Sequence, residues 1–145
     1  MKVELNISPE VKEAKVVVHT PAMTAEVEEL LRRLEGKTPI FTAFREGEAV
    51  MLSRPEILRF FADGKGVSCQ TAGGEYAVRK RLYELEEELA GTRFVRVSNS
   101  EIVNLDKVTA LDLSITGTIR MTLAGGAVAY ASRRYVKKIK QALGL

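Results

Sequence analysis

The sequence predicts an α+β protein that is predominantly β. Between residues 48 and 131, short runs of β-branched and large apolar residues are separated by turn signals such as Asp63-Gly64-Lys65-Gly66 and Gly125-Gly126. Such closely spaced turn signals are typical of hairpins. From residue 48 to the end of the chain, only two stretches, residues 80–90 and 132–143, place apolar residues at helical spacing.

The first 45 residues read differently, as a small β-β-α-β extension. Residues 1–6 alternate charged and apolar side chains, and residues 15–19 are β-branched, so both predict strands. Thr24 is a favourable N-cap for a helix that ends at Gly36, and residues 39–44 predict a third strand. We therefore expect a division into an extension, residues 1–45, and a second domain, residues 46–145.

The second domain is expected to contain many short strands and two helices. The predicted strands are residues 48–52, 57–62, 67–71, 76–79, 94–97, 102–105, 108–113, 118–123 and 127–131. The first helix, residues 80–90, carries four carboxylates, which would repel phosphates, so we interpret its polar side as a solvated face. Ser132 is expected to cap the terminal helix.

Composition narrows the function classes. The 145 residues carry a net charge of +3, but residues 1–50 hold a balance of −2 and residues 51–145 a balance of +5. A basic excess in the second part is expected of a domain that meets a polyanion. One cysteine, Cys69, and one histidine, His19, exclude a disulfide framework and make a metal or triad site improbable.

The sequence lacks motifs that are typical of other function classes. The sequence has no phosphate-binding or dinucleotide-binding glycine motif, so we expect no enzyme, no cofactor and no small-molecule substrate. No apolar run approaches the roughly 20 residues that cross a bilayer, and the first residues lack a secretory apolar core, so we expect a cytoplasmic protein.

Three polar loop tips remain as candidate binding elements: residues 63–66, 98–100 and 132–134. Arg and Lys suit phosphate oxygens and guanine, whereas the Asn99 amide matches adenine N6 and N7. The alternative is that Ser98-Asn99-Ser100 is only a turn and Arg133-Arg134 only a solvated pair, and the residues alone leave both open. An RNA-binding module is disfavoured because the tips carry no aromatic stacking platform, and a protein-interaction domain with a basic docking face stays an alternative.

A resemblance favours DNA. The segments RLYELEEEL, FVRVSNSEIVNLDKV and YASRRYVKKIKQAL occur in the order and at about the spacing found in LytTR DNA-binding domains. The second domain, from about residue 48 to residue 145, therefore resembles that family. The resemblance implies a mostly antiparallel β fold, transcription regulation, and a homodimer that binds repeated half-sites in double-stranded DNA through loops in the major groove.

The resemblance also assigns site residues. Asn99 and Arg134 match positions that contact bases or backbone, and Lys65 is favoured in the most variable loop. Phosphate or supporting contacts are expected from Ser98, Ser100, Arg96, Arg133 and Lys137. Arg96 has a structural alternative, in which its guanidinium holds the tip, and Asn104 is expected to be structural.

The extension distinguishes this chain from the commonest arrangement of the family, because residues 1–47 show no receiver-like phosphoacceptor pattern. It is similar to the short β/α N-terminus of stand-alone LytTR regulators. Two hypotheses follow: the extension supports dimerisation, or it contacts a regulatory partner such as a membrane-associated inhibitor.

Overall fold

The computed structural model describes residues 1–36, 39–64 and 66–145. Its helices and strands are α1 (Ala25–Leu34), β1 (Ile40–Arg45), β2 (Glu48–Ser53), β3 (Arg59–Asp63), β4 (Gly66–Thr71), β5 (Gly74–Val78), α2 (Leu82–Glu88), β6 (Phe94–Ser98), β7 (Glu101–Asn104), β8 (Val108–Asp112), β9 (Ile119–Leu123), β10 (Val128–Ala131) and α3 (Val136–Ala142). Single 3-10 turns lie at residues 54–56, 105–107, 124–126 and 133–135.

The strands form two antiparallel sheets. Seven strands follow the order β2-β1-β5-β4-β3-β7-β6, and three follow the order β10-β9-β8. The predicted α+β, predominantly β class is confirmed, as is the antiparallel arrangement that the resemblance implied.

The β1–β2 hairpin crosses the boundary expected between residues 45 and 46. Its register runs without interruption from Ile40 opposite Ser53 to Arg45 opposite Glu48. The two turn residues, Glu46 and Gly47, have φ of 51° and 81°, as in the primed turns whose twist matches that of a hairpin. The turn therefore keeps the strand before the boundary in the same sheet as the strand after it.

Two apolar cores lie on opposite faces of the large sheet. Side chains alternate between faces along a strand, so neighbouring residues reach different cores. Ile57 and Ile102 pack in the first core, which includes Leu85 of α2. Leu58 and Val103 pack in the second core, which is formed with the small sheet and α3. The strand β7 is thus buried on both faces, as are the two residues that precede β3.

The two strands predicted before α1 are wrong, because residues 1–23 contain no helix or strand. Alternation shows which side chains could share a face, but a strand also needs a neighbour that pairs with its backbone. In the single chain none is supplied. The helix that follows is confirmed, and the Thr24 side chain caps it by accepting a hydrogen bond from the Val27 amide at 3.3 Å.

The predicted cap of the terminal helix is also wrong. Ser132 makes no side-chain cap hydrogen bond; its carbonyl instead accepts from the Tyr135 amide at 2.9 Å, which closes a 3-10 turn before α3. The helical spacing of Val136, Ile139 and Leu143 was read correctly, but their helix begins four residues later than Ser132.

Arg59 links the two sheets at their centre. Its Nε donates to Gln70 Oε1 at 2.8 Å, and its Nη1 donates to Glu101 Oε1 at 2.8 Å and to the Val128 carbonyl of β10 at 3.1 Å. Burial raises the pKa of the Glu101 carboxyl, an effect that the hydrogen bond and charge of Arg59 only partly offset. The link is therefore sensitive to pH.

The Glu101→Gln variant tests this sensitivity. A carboxyl whose pKa is raised by folding takes up its proton first in the folded state, so its ionisation penalty disappears as pH falls through the folded pKa toward the ordinary value. We expect the wild type to gain free energy of unfolding relative to the variant as pH falls from neutrality toward the ordinary carboxyl pKa of 4.5. Urea unfolding of the wild type and the variant at the two ends of this pH range measures the gain. A constant difference, or one that moves the other way, contradicts the assignment.

Candidate nucleic-acid interface

The Ser98-Asn99-Ser100 tip joins β6 to β7 and is built by its own serines. The Ser100 amide donates to Ser98 Oγ at 3.2 Å, and the two hydroxyl oxygens lie 3.3 Å apart. The ladder shifts register between Arg96 and Ser98, a local irregularity that re-aims side chains. Asn99 is exposed, and its side chain makes no hydrogen bond with any residue of the described ranges. Its amide is available to a ligand.

The Arg96 guanidinium supports the backbone of this tip. Its Nε donates to the Ser98 carbonyl at 2.7 Å and its Nη2 to the Asn99 carbonyl at 2.6 Å, while Nη1 lies 3.8 Å from Glu86 Oε1 of α2. The side chain is 13% exposed. Of the two roles expected from the sequence, this geometry matches the structural one, and a phosphate contact by Arg96 stays a prediction.

Two backbone hydrogen bonds place all three predicted loops at one end of the molecule. The Ala62 amide, at the end of β3, donates to the Ser100 carbonyl at 2.8 Å. The Ser132 amide, just after β10, donates to the Val97 carbonyl at 2.9 Å. The turn after β3 and the turn before α3 therefore flank the Ser98–Ser100 tip. Lys65, the residue favoured in the first of these loops, lies outside the described residues.

The basic segment after β10 presents its cations to solvent. Arg133, Arg134 and Lys137 are exposed, and none of the three forms an ion pair within the part of the chain that the structure describes. The Arg134 guanidinium lies 5.5 Å from the centre of the Tyr135 ring, and the buried Ile139 anchors α3 on the second core. The segment is thus fixed by an apolar contact while its charges remain unneutralised.

Arg133 also packs over the turn between β8 and β9, a contact that the sequence did not indicate. A Cβ at Gly117 would lie only 2.8 Å from Arg133 Nε, and Gly117 has φ of +79°. Only glycine meets both demands readily. The glycine itself was a visible turn signal, but its partner, sixteen residues later, was not.

Asn104 has the structural role expected for it. Its Nδ2 donates to the carbonyls of Pro55 and Ile57 at 3.2 and 2.9 Å, and its Oδ1 accepts from the Asp106 amide at 3.0 Å. The residue is buried, and its polar atoms are satisfied within the fold, which leaves none for a ligand.

Other chemistry finds little support. Within the described ranges, no group of three or more His, Cys, Asp or Glu side chains could hold a metal ion. Cys69 lies in the first core, where burial raises the pKa of its thiol to about 11, so it is a poor nucleophile. None of the helices that the structure describes is long and apolar enough to span a membrane.

The fold and the exposed basic loops are those of a DNA-binding domain. Among the residues that the structure describes, α2 and α3 do not form a helix pair that could read a groove, since they pack in separate cores on opposite faces of the large sheet. The family description of the LytTr DNA-binding domain matches residues 47–144. This chain belongs to the LytTR family, as its resemblance implied.

Sequence similarity to known relatives extends over the whole chain. Uncharacterised HTH-type transcriptional regulators from Staphylococcus aureus strains MSSA476 and NCTC 8325 are 31% identical over 147 residues, covering 100% of this chain and 99% of each relative. A solved LytTr DNA-binding domain, from a putative methyl-accepting/DNA response regulator of Bacillus cereus, has a TM-score of 0.70 at 20% identity. The structural match covers 76% of this chain and 100% of that domain. The protein is a DNA-binding regulator with the LytTR fold.

The positioning role of Arg96 is testable without DNA. Lysine cannot donate to two carbonyls in the fixed fork geometry of a guanidinium, so Arg96→Lys should destabilise the fold by about 1 kcal/mol. It should also speed amide exchange at Asn99 and Ser100. Urea unfolding and hydrogen exchange measure the two effects.

Arg93→Lys is the matched control, since Arg93 forms an exposed ion pair with Asp106 at 2.9 Å and such pairs contribute little. Equal effects of the two substitutions on exchange at the tip would show that Arg96 does not hold it.

Proposed function

We propose that this protein is a sequence-specific regulator of transcription that binds repeated half-sites in double-stranded DNA as a homodimer. The observation that carries the proposal is the pair of backbone hydrogen bonds, from Ala62 to Ser100 and from Ser132 to Val97. They bring three polar loops to one end, where loops rather than a helix would enter the major groove.

The exposed groups at this end fall into two chemical kinds. The Asn99 amide offers a donor and an acceptor for adenine, and the Arg134 guanidinium offers two donors for guanine. Ser98, Ser100, Arg133 and Lys137 are suited to phosphate oxygens, which fix register without reading sequence. Lys65 is assigned to the same set by its position in the family, and Arg96 serves by holding Asn99 in place.

The exposed residues at this end also bear on the alternatives. Ser98, Asn99 and Ser100 offer no aromatic face for an unstacked base, which disfavours single-stranded RNA. A pure protein-docking role for Arg133, Arg134 and Lys137 predicts no preference among DNA sequences. DNA selection therefore separates it from the proposal.

We assign this protein no catalytic role and place it in the cytoplasm with its DNA. The acidic first part, whose balance is −2 over residues 1–50, is disfavoured as a DNA contact. It is proposed as the site of dimerisation, with a membrane-associated regulatory protein as the second candidate partner.

Base reading and phosphate binding should separate by mutation. After the half-site is selected from a random DNA pool, Asn99→Ala should relax preference at one base position by about 10- to 100-fold. Lys137→Ala should weaken all sites alike and reduce the slope of log affinity against log salt by about 0.9. Fluorescence anisotropy at several salt concentrations measures both.

Lys107→Ala is the matched lysine control, because Lys107 follows the end of β7 opposite to the Ser98–Ser100 tip and pairs with Glu56 at 3.7 Å. It should leave affinity and salt slope unchanged. If Asn99→Ala kept both affinity and base preference, Asn99 would not be a reading residue. If Lys137→Ala altered preference at one position, its assignment to phosphate would be wrong.

A further inference from the structure

The first residues of the chain form an extended arm with one apolar side. Lys2 Nζ and Glu4 Oε1 lie 3.2 Å apart, so these residues, two apart, share a side as they do in a strand. The alternate positions, Val3, Leu5 and Ile7, are 87%, 82% and 87% exposed. Leaving three large apolar side chains in water forfeits roughly 1.5–3 kcal/mol each relative to burial. The arm has the composition of a strand without a partner.

The large sheet has one edge that lacks the usual protection. β2 pairs only with β1, in a register without bulges, and its sequence EAVMLS contains neither lysine nor proline. Proteins normally blunt an exposed edge with those residues or with a bulge. On the face of β2 away from the core, Met51 is 60% exposed, and Ile40 of β1 is 58% exposed. The opposite edge, β6, is covered at Val97 by the hydrogen bond from Ser132.

We propose that residues 2–7 of one copy add as a strand to the β2 edge of a second copy, and that the exchange is reciprocal. Arm and edge are each six residues long, and the apolar side of the arm would pack beside Met51 on the exposed face. This inference rests on the proposed homodimer and names the surface that forms it.

A second copy is favoured over the arm's own chain. Residues 8–24 could span up to about 60 Å when extended, so the arm could reach its own edge, yet the single chain leaves arm and edge apart. A reciprocal exchange takes six arm residues and six edge residues from each copy. Residues 8–23 are available to extend this contact toward the 20–30 residues per partner of a stable interface.

The proposed contact leaves the DNA-binding end free. Six strand spacings separate β2 from β6 in the order of the large sheet, so the dimer edge and the hairpin that carries Asn99 are the two opposite ends of that order. In a dimer joined in this way, each copy would keep its three polar loops exposed for DNA.

Cross-linking tests the contact and its direction. Cys69 is buried and its thiol pKa is raised to about 11, so cysteines introduced on the surface react selectively. A mixture of Leu5→Cys and Met51→Cys chains, treated with a short bismaleimide, should give a covalent dimer that neither chain gives alone. Three outcomes overturn the proposal: no dimer, dimers of Leu5→Cys alone, or an internal link in the double variant at monomer mass.

Charge complementation tests it independently. Leu5→Glu and Met51→Lys should each raise the dimer dissociation constant by roughly 100-fold, and mixing the two should restore dimers, because the mixed dimer has one native contact and one Glu–Lys contact. Tyr83→Lys, on exposed α2, is the control. Light scattering measures mass; unchanged dimers in both single variants would refute the contact.

DNA binding separates this inference from the proposed function. Specific binding to a single half-site by a wild type that stays monomeric would overturn the arm exchange and leave the regulator role intact. Dimers linked through arm and edge that show no sequence preference would support the exchange and overturn sequence-specific reading.

Discussion

Burial of the β6–β7 hairpin on both faces is the constraint on which the binding end depends. Ile102 packs in the core with α2, and the next residue, Val103, packs in the core with the small sheet. A slip of one residue would exchange every side chain between the two faces, so packing on both sides fixes the register. The Ser98–Ser100 tip is therefore set by two cores, and the neighbouring turns are set by it through Ala62 and Ser132.

The arginines divide into those that build the protein and those left for a ligand. Arg59 joins the sheets through three hydrogen bonds. Buried Arg54 lies 3.7 Å from Glu29 of α1, and the Arg96 guanidinium donates to two backbone carbonyls. Arg133 and Arg134 are exposed. A net charge thus overstates the cations that can meet a polyanion, because guanidinium groups that hold the fold are already neutralised or desolvated.

The sequence was informative wherever structure follows from local chemistry. Thr24 capped its helix, turn glycines separated the hairpins, and alternation placed the strands after residue 39. It failed where structure depends on a distant partner. Residues 1–6 have the pattern of a strand, but pairing is not a local property. For Arg96 two roles stayed open, a phosphate contact and a structural one, because sequence does not show that two carbonyls lie within reach of its guanidinium. The assignments of Asn99 and Arg134 to DNA remain predictions.

The order of strands separates two surfaces that the sequence places on the same small protein. The hairpin that carries Asn99 ends one side of the large sheet, and the unprotected β2 ends the other. Between them every strand is hydrogen-bonded on both sides, and the side chains that face the two cores are close-packed. If two copies join at β2, the distance between their reading tips depends on the sheet and on the path of residues 8–24, which connect each arm to α1. A defined path for this segment would select DNA sites whose half-sites recur at one helical separation.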